Sequence, residues 1–325
     1  MEAYPIKFTP ILKEKIWGGD ILMKNFNKVS INTNNIGESW ELSGVTGDES
    51  VVSNGDFLGM TIVQLVKKFK SELVGHKVYS TFKDEFPLLF KFIDARENLS
   101  IQLHPNDELA AKRHNSFGKT EMWYILEAEE KAKLYAGLTK TLGKKEYIDS
   151  FNNDEILDLI HTDKVQKGDA FFIEVGTIHA IGKGIVLAEI QQTSDVTYRI
   201  YDWDRVDKRG NSRELHTDLA IDAIDFTKIG SCKVDFLKTK GKVNNIYSCK
   251  YFTTNNLVVS EMMKRSLVNI DSFVVYMCVD GKGEISVNGK VEKLKKGETV
   301  LLPACVGEIV IINEENFELL EVFIE

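Results

Sequence analysis

No stretch of the chain approaches the roughly 20 consecutive apolar residues that a membrane-crossing helix needs. The opening residues, MEAYPIKFTPILKEKIWGG, lack an apolar signal core. There is no C-x-x-C pair: the 4 cysteines, Cys232, Cys249, Cys278 and Cys305, all fall in the last third. They read as reduced thiols, mostly in the core of a cytoplasmic protein, and not as a disulfide framework or a thiolate metal site. Nor is there a basic excess. Lys and Arg number 41 against 49 Asp and Glu, a net charge of −8, whereas binding along a phosphate backbone needs a basic face. Nucleic acid and membrane are therefore not expected partners. A small anionic ligand held by a few local cations is compatible with the same balance.

What is present is ordinary soluble-protein material: 325 residues, 43% hydrophobic and 28% charged, enough for one large domain or two to three smaller ones. Residues 1–60 read as strand pieces broken by Gly and Asn (Ile6–Leu12, Ile16–Gly19, Glu38–Gly44, Val51–Val52), and Trp40 and Leu42 alternate with polar neighbours as in a half-buried strand. Over 61–75 the period changes: Ile62, Leu65, Val66, Phe69 and Leu73 share a helical face, with Thr61 as cap and Gly75 as stop. Short helices are expected at Pro105–Arg113, within 139–160 and at His216–Ile224, and strands at 163–175 and 185–201. Residues 226–240 read as a linker. The segment 246–325 is almost all β in pattern, with turns at Asp280-Gly281-Lys282-Gly283, Asn288-Gly289 and Lys296-Gly297. Many short strands with turn signals suggest a sandwich or jelly roll. Lys167-Gly168-Asp169-Ala170 and the apolar run after it are weakly echoed by Lys296-Gly297-Glu298-Thr299; if the chain contains two related β-barrels, only the first kept a histidine ligand.

The chemistry gathers around FPLLFKFIDARENLSIQLHPND and GKTEMWYIL. In an extended strand Gln102 and His104 project from one face while Ile101 and Leu103 pack on the other. Glu121 opens the next apolar run, so two adjacent strands could aim a carboxamide oxygen, an imidazole and a carboxylate at one point. The spacing Gly168-x5-Glu174-x-Gly176-x2-His179 resembles the second motif of the cupins, whose metal lies in the mouth of a double-stranded β-barrel, and it supplies a fourth donor, His179. The motif usually has Pro at the Glu174 position and Asn at the Lys183 position. Gln102, His104, Glu121 and His179 form an N2O2 set suited to Zn2+, with Mn2+, Fe2+ or Co2+ compatible. His76, His114, His161 and His216 read as solvated surface residues. From Glu189 to Arg199 every odd position is polar (Glu189, Gln191, Thr193, Asp195, Thr197, Arg199), either a wet outer face, which composition favours, or a cavity lining. Lys91 sits inside an apolar run and is costly to bury unless paired. With Lys119 and Arg199 it would bring positive charge to the site.

These segments, with the early IWGG and the block FFIEVGTIHAIGKGIVLAEIQQTSDVTYRIYDW, resemble type I mannose-6-phosphate isomerase (phosphomannose isomerase) in its shorter bacterial form. The resemblance spans most of the chain. It implies a mainly β protein: two cupin-like jelly-roll barrels with a small helical insertion, the first (1–235) catalytic and metal-bearing, the second (236–325) metal-free. It implies one Zn2+ per chain, on Gln102, His104, Glu121 and His179, and interconversion of mannose 6-phosphate and fructose 6-phosphate through a cis-enediol. Arg199, Lys119 and Asp195 are the implied catalytic residues; Lys91, Lys119, Arg199 and Glu189 are the implied substrate contacts. Two departures bear on the pocket: longer members often have His where this chain has Gly118, and they carry a larger helical domain than the one at 139–160. Two other readings stay open here, a cupin iron oxygenase and a sugar-phosphate-binding paralogue without activity. No oligomeric state is implied.

Overall fold

Strand Leu88–Ala95 is buried along its whole length, because it is covered on both faces. Its even-numbered side chains, Phe90 and Phe92, enter one apolar core, and Ile93 and Ala95 enter another. The computed structural model describes residues 1–30, 35–152, 155–207 and 209–325. Leu88–Ala95 lies within a 7-stranded sheet whose order is Lys233–Val234, Ala170–Ile173, Glu121–Ala128, Ile185–Gln192, Leu88–Ala95, Ile11–Gly19 and Ile36–Leu42. A 5-stranded sheet faces it, in the order Tyr198–Tyr201, Ile101–Leu103, His179–Ile181, Lys133–Leu138 and Ile160–Lys164. Trp123, Phe171 and Leu187 from one sheet meet Leu134, Ala136 and Ile181 from the other. The result is an antiparallel sandwich of the cupin type, whose inner face is apolar at one end and polar at the other. Along Ile185–Gln192 the inward odd positions run Ile185, Leu187, Glu189, Gln191, which puts the polar residues at one mouth.

The second half forms a 9-stranded sheet around two long strands, Val274–Val287 and Glu308–Phe323. Strand Ile6–Thr9 joins this sheet, with Ile6 opposite Leu301 and Lys7 opposite Val300. The halves also share a core: Phe90, Phe92 and Ile190 pack in one cluster with Phe273, Val275, Leu320 and Val322. The echo seen in the sequence is a repeated structure. Gly168 and Gly297 both take positive φ (92° and 88°). Their N–H groups donate to Ile125 and Cys278 carbonyls, each at 2.9 Å, and the N–H groups of Ile125 and Cys278 donate back to Asp169 and Glu298 carbonyls. The lysine before each glycine crosses to the other half, Lys167 to Asp280 and Lys296 to Glu127, each at 2.6 Å. The two barrels grip each other by the same device in both directions.

Several local expectations are corrected. The helix expected over 61–75 breaks at Lys70 (φ 49°) into Ile62–Phe69 and Ser71–Val74, and a further helix, His76–Phe82, follows. Thr61 does cap the first, in a reciprocal box with Gln64. The helical content of 139–160 is Lys144–Asn152 plus a short 3-10 turn, Ile156–Leu159, which pack outside the 5-stranded sheet. Strand Ile36–Leu42 is buried throughout, not half-buried. The strand read over 185–201 stops at Gln192 and resumes at Tyr198 in the opposite sheet. The polar row is thus divided: Glu189 and Gln191 are 4% and 0% exposed, Thr193 and the exposed Asp195 fall in the break, and Arg199 belongs to the opposite sheet. All four cysteines are free; Cys278 is buried but Cys305 is exposed. No helix among the described residues is long and apolar enough to cross a membrane.

Candidate metal centre and cavity

Gln102 and His179 are direct cross-strand neighbours in the 5-stranded sheet, and Arg199 flanks Gln102 on its other side. Glu121 reaches the same space from the facing sheet, where Gln191 is its cross-strand neighbour. His104 follows strand Ile101–Leu103, whose Ile101 and Leu103 anchor outward in the helix-covered core. His104, Glu121 and His179 are each 1% exposed. Their donor atoms lie within 4.8 Å of one another. His104 Nε2 is 3.1 Å from Glu121 Oε1, and His179 Nε2 is 3.8 Å from Glu121 Oε2.

The hydrogen bonds behind these atoms decide their chemistry. His104 Nδ1 lies 2.9 Å from the Val196 carbonyl and His179 Nδ1 lies 2.9 Å from the Thr177 carbonyl. A carbonyl only accepts, so each Nδ1 carries the proton and each Nε2 presents a lone pair. Both Nε2 atoms and both Glu121 carboxylate oxygens are buried without a hydrogen-bond partner. Burial pushes the His104 imidazole down to about 3, aided by the charge of Lys119, and burial lowers His179 as well. Burial opposes ionisation of Glu121, but the Lys119 ammonium beside it holds it well below the usual carboxylate range. Orphaned lone pairs converging on a buried carboxylate cost free energy unless a cation sits among them. Two imidazoles and a carboxylate suit a borderline divalent ion. The residues present fit a metal, and Gln102 lines the adjoining cavity.

That cavity measures about 260 Å3. Lys91, 3% exposed, donates from Nζ to Glu189 Oε1 at 2.9 Å and Gln191 Oε1 at 2.6 Å. Trp123 Nε1 donates to Glu189 Oε2 at 2.8 Å. Burial works against the Lys91 ammonium, but Glu189 and Glu38 outweigh it and its pKa lies above the ordinary lysine value. Burial, and then the charge of Glu121, raise Glu189. Lys119 Nζ lies 3.3 Å from Glu121 Oε1. Arg199 donates from Nη1 to the Glu214 carbonyl at 2.7 Å, while its buried Nε has no partner. Burial and Arg213 lower its pKa. Asp195 is exposed at the rim, in the break between the two strands.

Lys91, Gln102, Lys119, His179, Glu189, Asp195 and Arg199 line this space, and His104 and Glu121 stand in the cluster beside it, whereas Thr193 and Glu174 line other cavities. Sequence reasoning missed Lys15, Glu38, Trp17 and Arg213, which also line it. Glu38 accepts from Trp40 Nε1 at 2.7 Å, and Lys15 lies 3.3 Å from it. A charged residue beside Trp in GESWELSG was the available signal. His216 is not a solvated residue: it is half-buried, and its Nδ1 accepts the Arg199 backbone N–H at 3.1 Å.

Residues 6–147 match the family described as phosphomannose isomerase type I, catalytic domain, and residues 242–317 match mannose-6-phosphate isomerase, cupin domain. Mannose-6-phosphate isomerase ManA of Bacillus subtilis is 36% identical over 318 residues, covering 95% of this chain and 96% of the relative. The chain belongs to the type I phosphomannose isomerase family. The Streptococcus mutans mannose-6-phosphate isomerase is 33% identical over 323 residues, covering 97% of this chain and 99% of the relative. The crystal structure of the mannose 6-phosphate isomerase from Bacillus subtilis superposes with a TM-score of 0.87 at 32% identity, over 98% of this chain and 99% of that one. A phosphomannose isomerase from Salmonella typhimurium, at 15% identity and a TM-score of 0.78, shows the same fold. The buried cluster and the cation-lined cavity adjoin each other between the 7-stranded and 5-stranded sheets.

Proposed function

We propose that the chain interconverts mannose 6-phosphate and fructose 6-phosphate, with Zn2+, one per chain, held by Gln102, His104, Glu121 and His179. The observation that carries this reading is the set of orphaned lone pairs on His104, Glu121 and His179, the last of which lines a cavity bordered by Lys91, Lys119 and Arg199. The reaction moves one proton between C2 and C1 of the open-chain sugar and another between O2 and O1, and its barrier is largely the negative charge that develops on oxygen. When bound, the metal supplies positive charge for that oxygen and orients the sugar.

The protein's own residues supply the rest. Glu189 takes the proton from one carbon and returns it to the other. Its raised pKa suits a base that must also give the proton back, and Lys91 and Trp123 fix its two oxygens. Asp195, exposed at the rim, is less suited to that task and better suited to contacting the sugar chain. Arg199 and Lys119 hold the anionic substrate, Arg199 with an Nε free to donate. Segment 1–235 carries the chemistry and 236–325 is the metal-free partner barrel. A cytoplasmic location belongs to the same reading and is supported by the four free thiols.

The test is a coupled isomerisation assay with metal analysis before and after chelation. The expected result is stoichiometric zinc and activity that chelation removes and Zn2+ restores. Bound zinc without isomerase activity sinks the proposal.

A further inference from the structure

The metal-free second half reaches the site through one hydrogen-bonded chain. Between its strands Val243–Ser248 and Thr253–Val258 the backbone turns, and Tyr251 on that turn donates its hydroxyl to Asp107 Oδ2 at 2.5 Å. The other oxygen of Asp107 accepts from the Gly118 N–H at 3.0 Å and from Gln192 Nε2 at 2.9 Å. Gln192 Oε1 accepts from the Thr120 N–H at 3.0 Å, and the Gln192 N–H donates to the Thr120 carbonyl at 3.3 Å. Residues 118 and 120 are thereby pinned from the side away from the cavity. The residues that alternate with them, Lys119 and Glu121, face the cavity side, 3.3 Å apart at Nζ and Oε1.

Gly118 is part of the device. A Cβ there would stand 2.8 Å from the Asp107 backbone nitrogen and 2.9 Å from its Oδ1, so only glycine admits this approach. Asp107 stays ionised to do this work: burial opposes it, but the bonds from Tyr251, Gln192 and Gly118 lower its pKa. Gln192 adjoins Gln191, which holds Lys91. The chain thus ends between Lys119 and Lys91, two cations that line the cavity.

We infer that Tyr251 is a positioning residue: acting through Asp107 and Gln192, it sets where Lys119 and Glu121 stand, which gives the metal-free barrel a part in catalysis. The inference rests on the proposed function, its kinetic arm on the isomerase activity and its cobalt arm on Glu121 as a metal ligand, and bound cobalt with full activity in the parent chain keeps a failure of that reading distinct. In the full chain, Tyr251→Phe keeps the ring and removes the hydroxyl. Because small misplacements at a reacting centre are expensive, kcat is expected to fall about fivefold with KM changed less than about twofold. The Co2+-substituted protein is expected to show a shifted visible absorption band, because Glu121, which would help hold the ion, is displaced, and this arm needs no activity. Asp107→Ala is expected to lower kcat further, and Asp107→Ala/Tyr251→Phe to fall no lower than Asp107→Ala alone. Leu294→Ala, a core truncation in the second barrel away from this chain, controls for lost stability and is expected to leave kcat and the cobalt band unchanged. An unchanged cobalt band in Tyr251→Phe overturns the inference. So do multiplying effects of the two variants, or an equal loss of kcat in Leu294→Ala.

Discussion

Lys91 and Glu189 face each other across two central strands, Nζ to Oε1 at 2.9 Å, with neither side chain more than 5% exposed. Each is the reason the other can be charged there: remove one, and a bare charge remains in the interior. Lys91→Met is therefore expected to destabilise the fold by about 3 kcal/mol, the usual cost of orphaning a buried ionic partner. It should also lower kcat/KM by on the order of 10²-fold, because Glu189 loses the cation that fixes its carboxylate. Chemical denaturation and steady-state kinetics check the two effects; a variant as stable and active as the parent contradicts both.

The histidines make the metal-free protein acid-sensitive. A free histidine titrates near ~6.5, whereas His104 is held down to about 3 and His179 is also lowered. Between those values the unfolded chain takes up a proton that the folded chain refuses, so stability rises with pH there. This contribution is fully present above about 6.5 and is lost as pH falls toward about 3. Melting temperatures of chelator-treated protein should drop across that window, and His104→Asn should flatten the slope. A flat profile for the parent chain refutes the assignment.

His179→Ala removes one of the orphaned lone pairs and leaves Glu121 facing one imidazole fewer. Metal stoichiometry after dialysis should fall well below one per chain, and activity by on the order of 10³-fold. Elemental analysis distinguishes this from misfolding, since circular dichroism should be unchanged. Full stoichiometry in the variant removes His179 from the ligand set.

Gly118→Ala places a methyl 2.8 Å from the Asp107 backbone nitrogen. That nearest atom belongs to the backbone, so the strand entry must shift. A cost of about 1–3 kcal/mol is expected, together with a fall in kcat larger than that of Tyr251→Phe. Thermal melts and kinetics measure both.

How much of this is legible in the sequence depends on distance along the chain. The inward pairing of Gln102 and His104, with Ile101 and Leu103 outward, follows from the two-residue period of a strand and is what the structure contains. The oddness of Lys91 in an apolar run also carried information, because a buried lysine needs a partner. Its partner Glu189 could not be assigned, since cross-strand register joins residues 98 positions apart. Lys15, Glu38 and Arg213 were hidden for the same reason. The division of the 185–201 strand was hidden too: Gln192 turns aside to hold Thr120 and Asp107, and the chain crosses to the other sheet before Tyr198. The break at Lys70 has neither Gly nor Pro to announce it.

The first strand, Ile6–Thr9, lies in the sheet of the second half, paired with Leu301 and Val300. That strand must therefore wait for a partner far downstream in the chain before it finds its hydrogen bonds. A protease cut within 226–240 would not free two separate proteins. The amino-terminal fragment would stay threaded into the carboxy-terminal one, and the nicked enzyme should purify, and work, as a complementing pair.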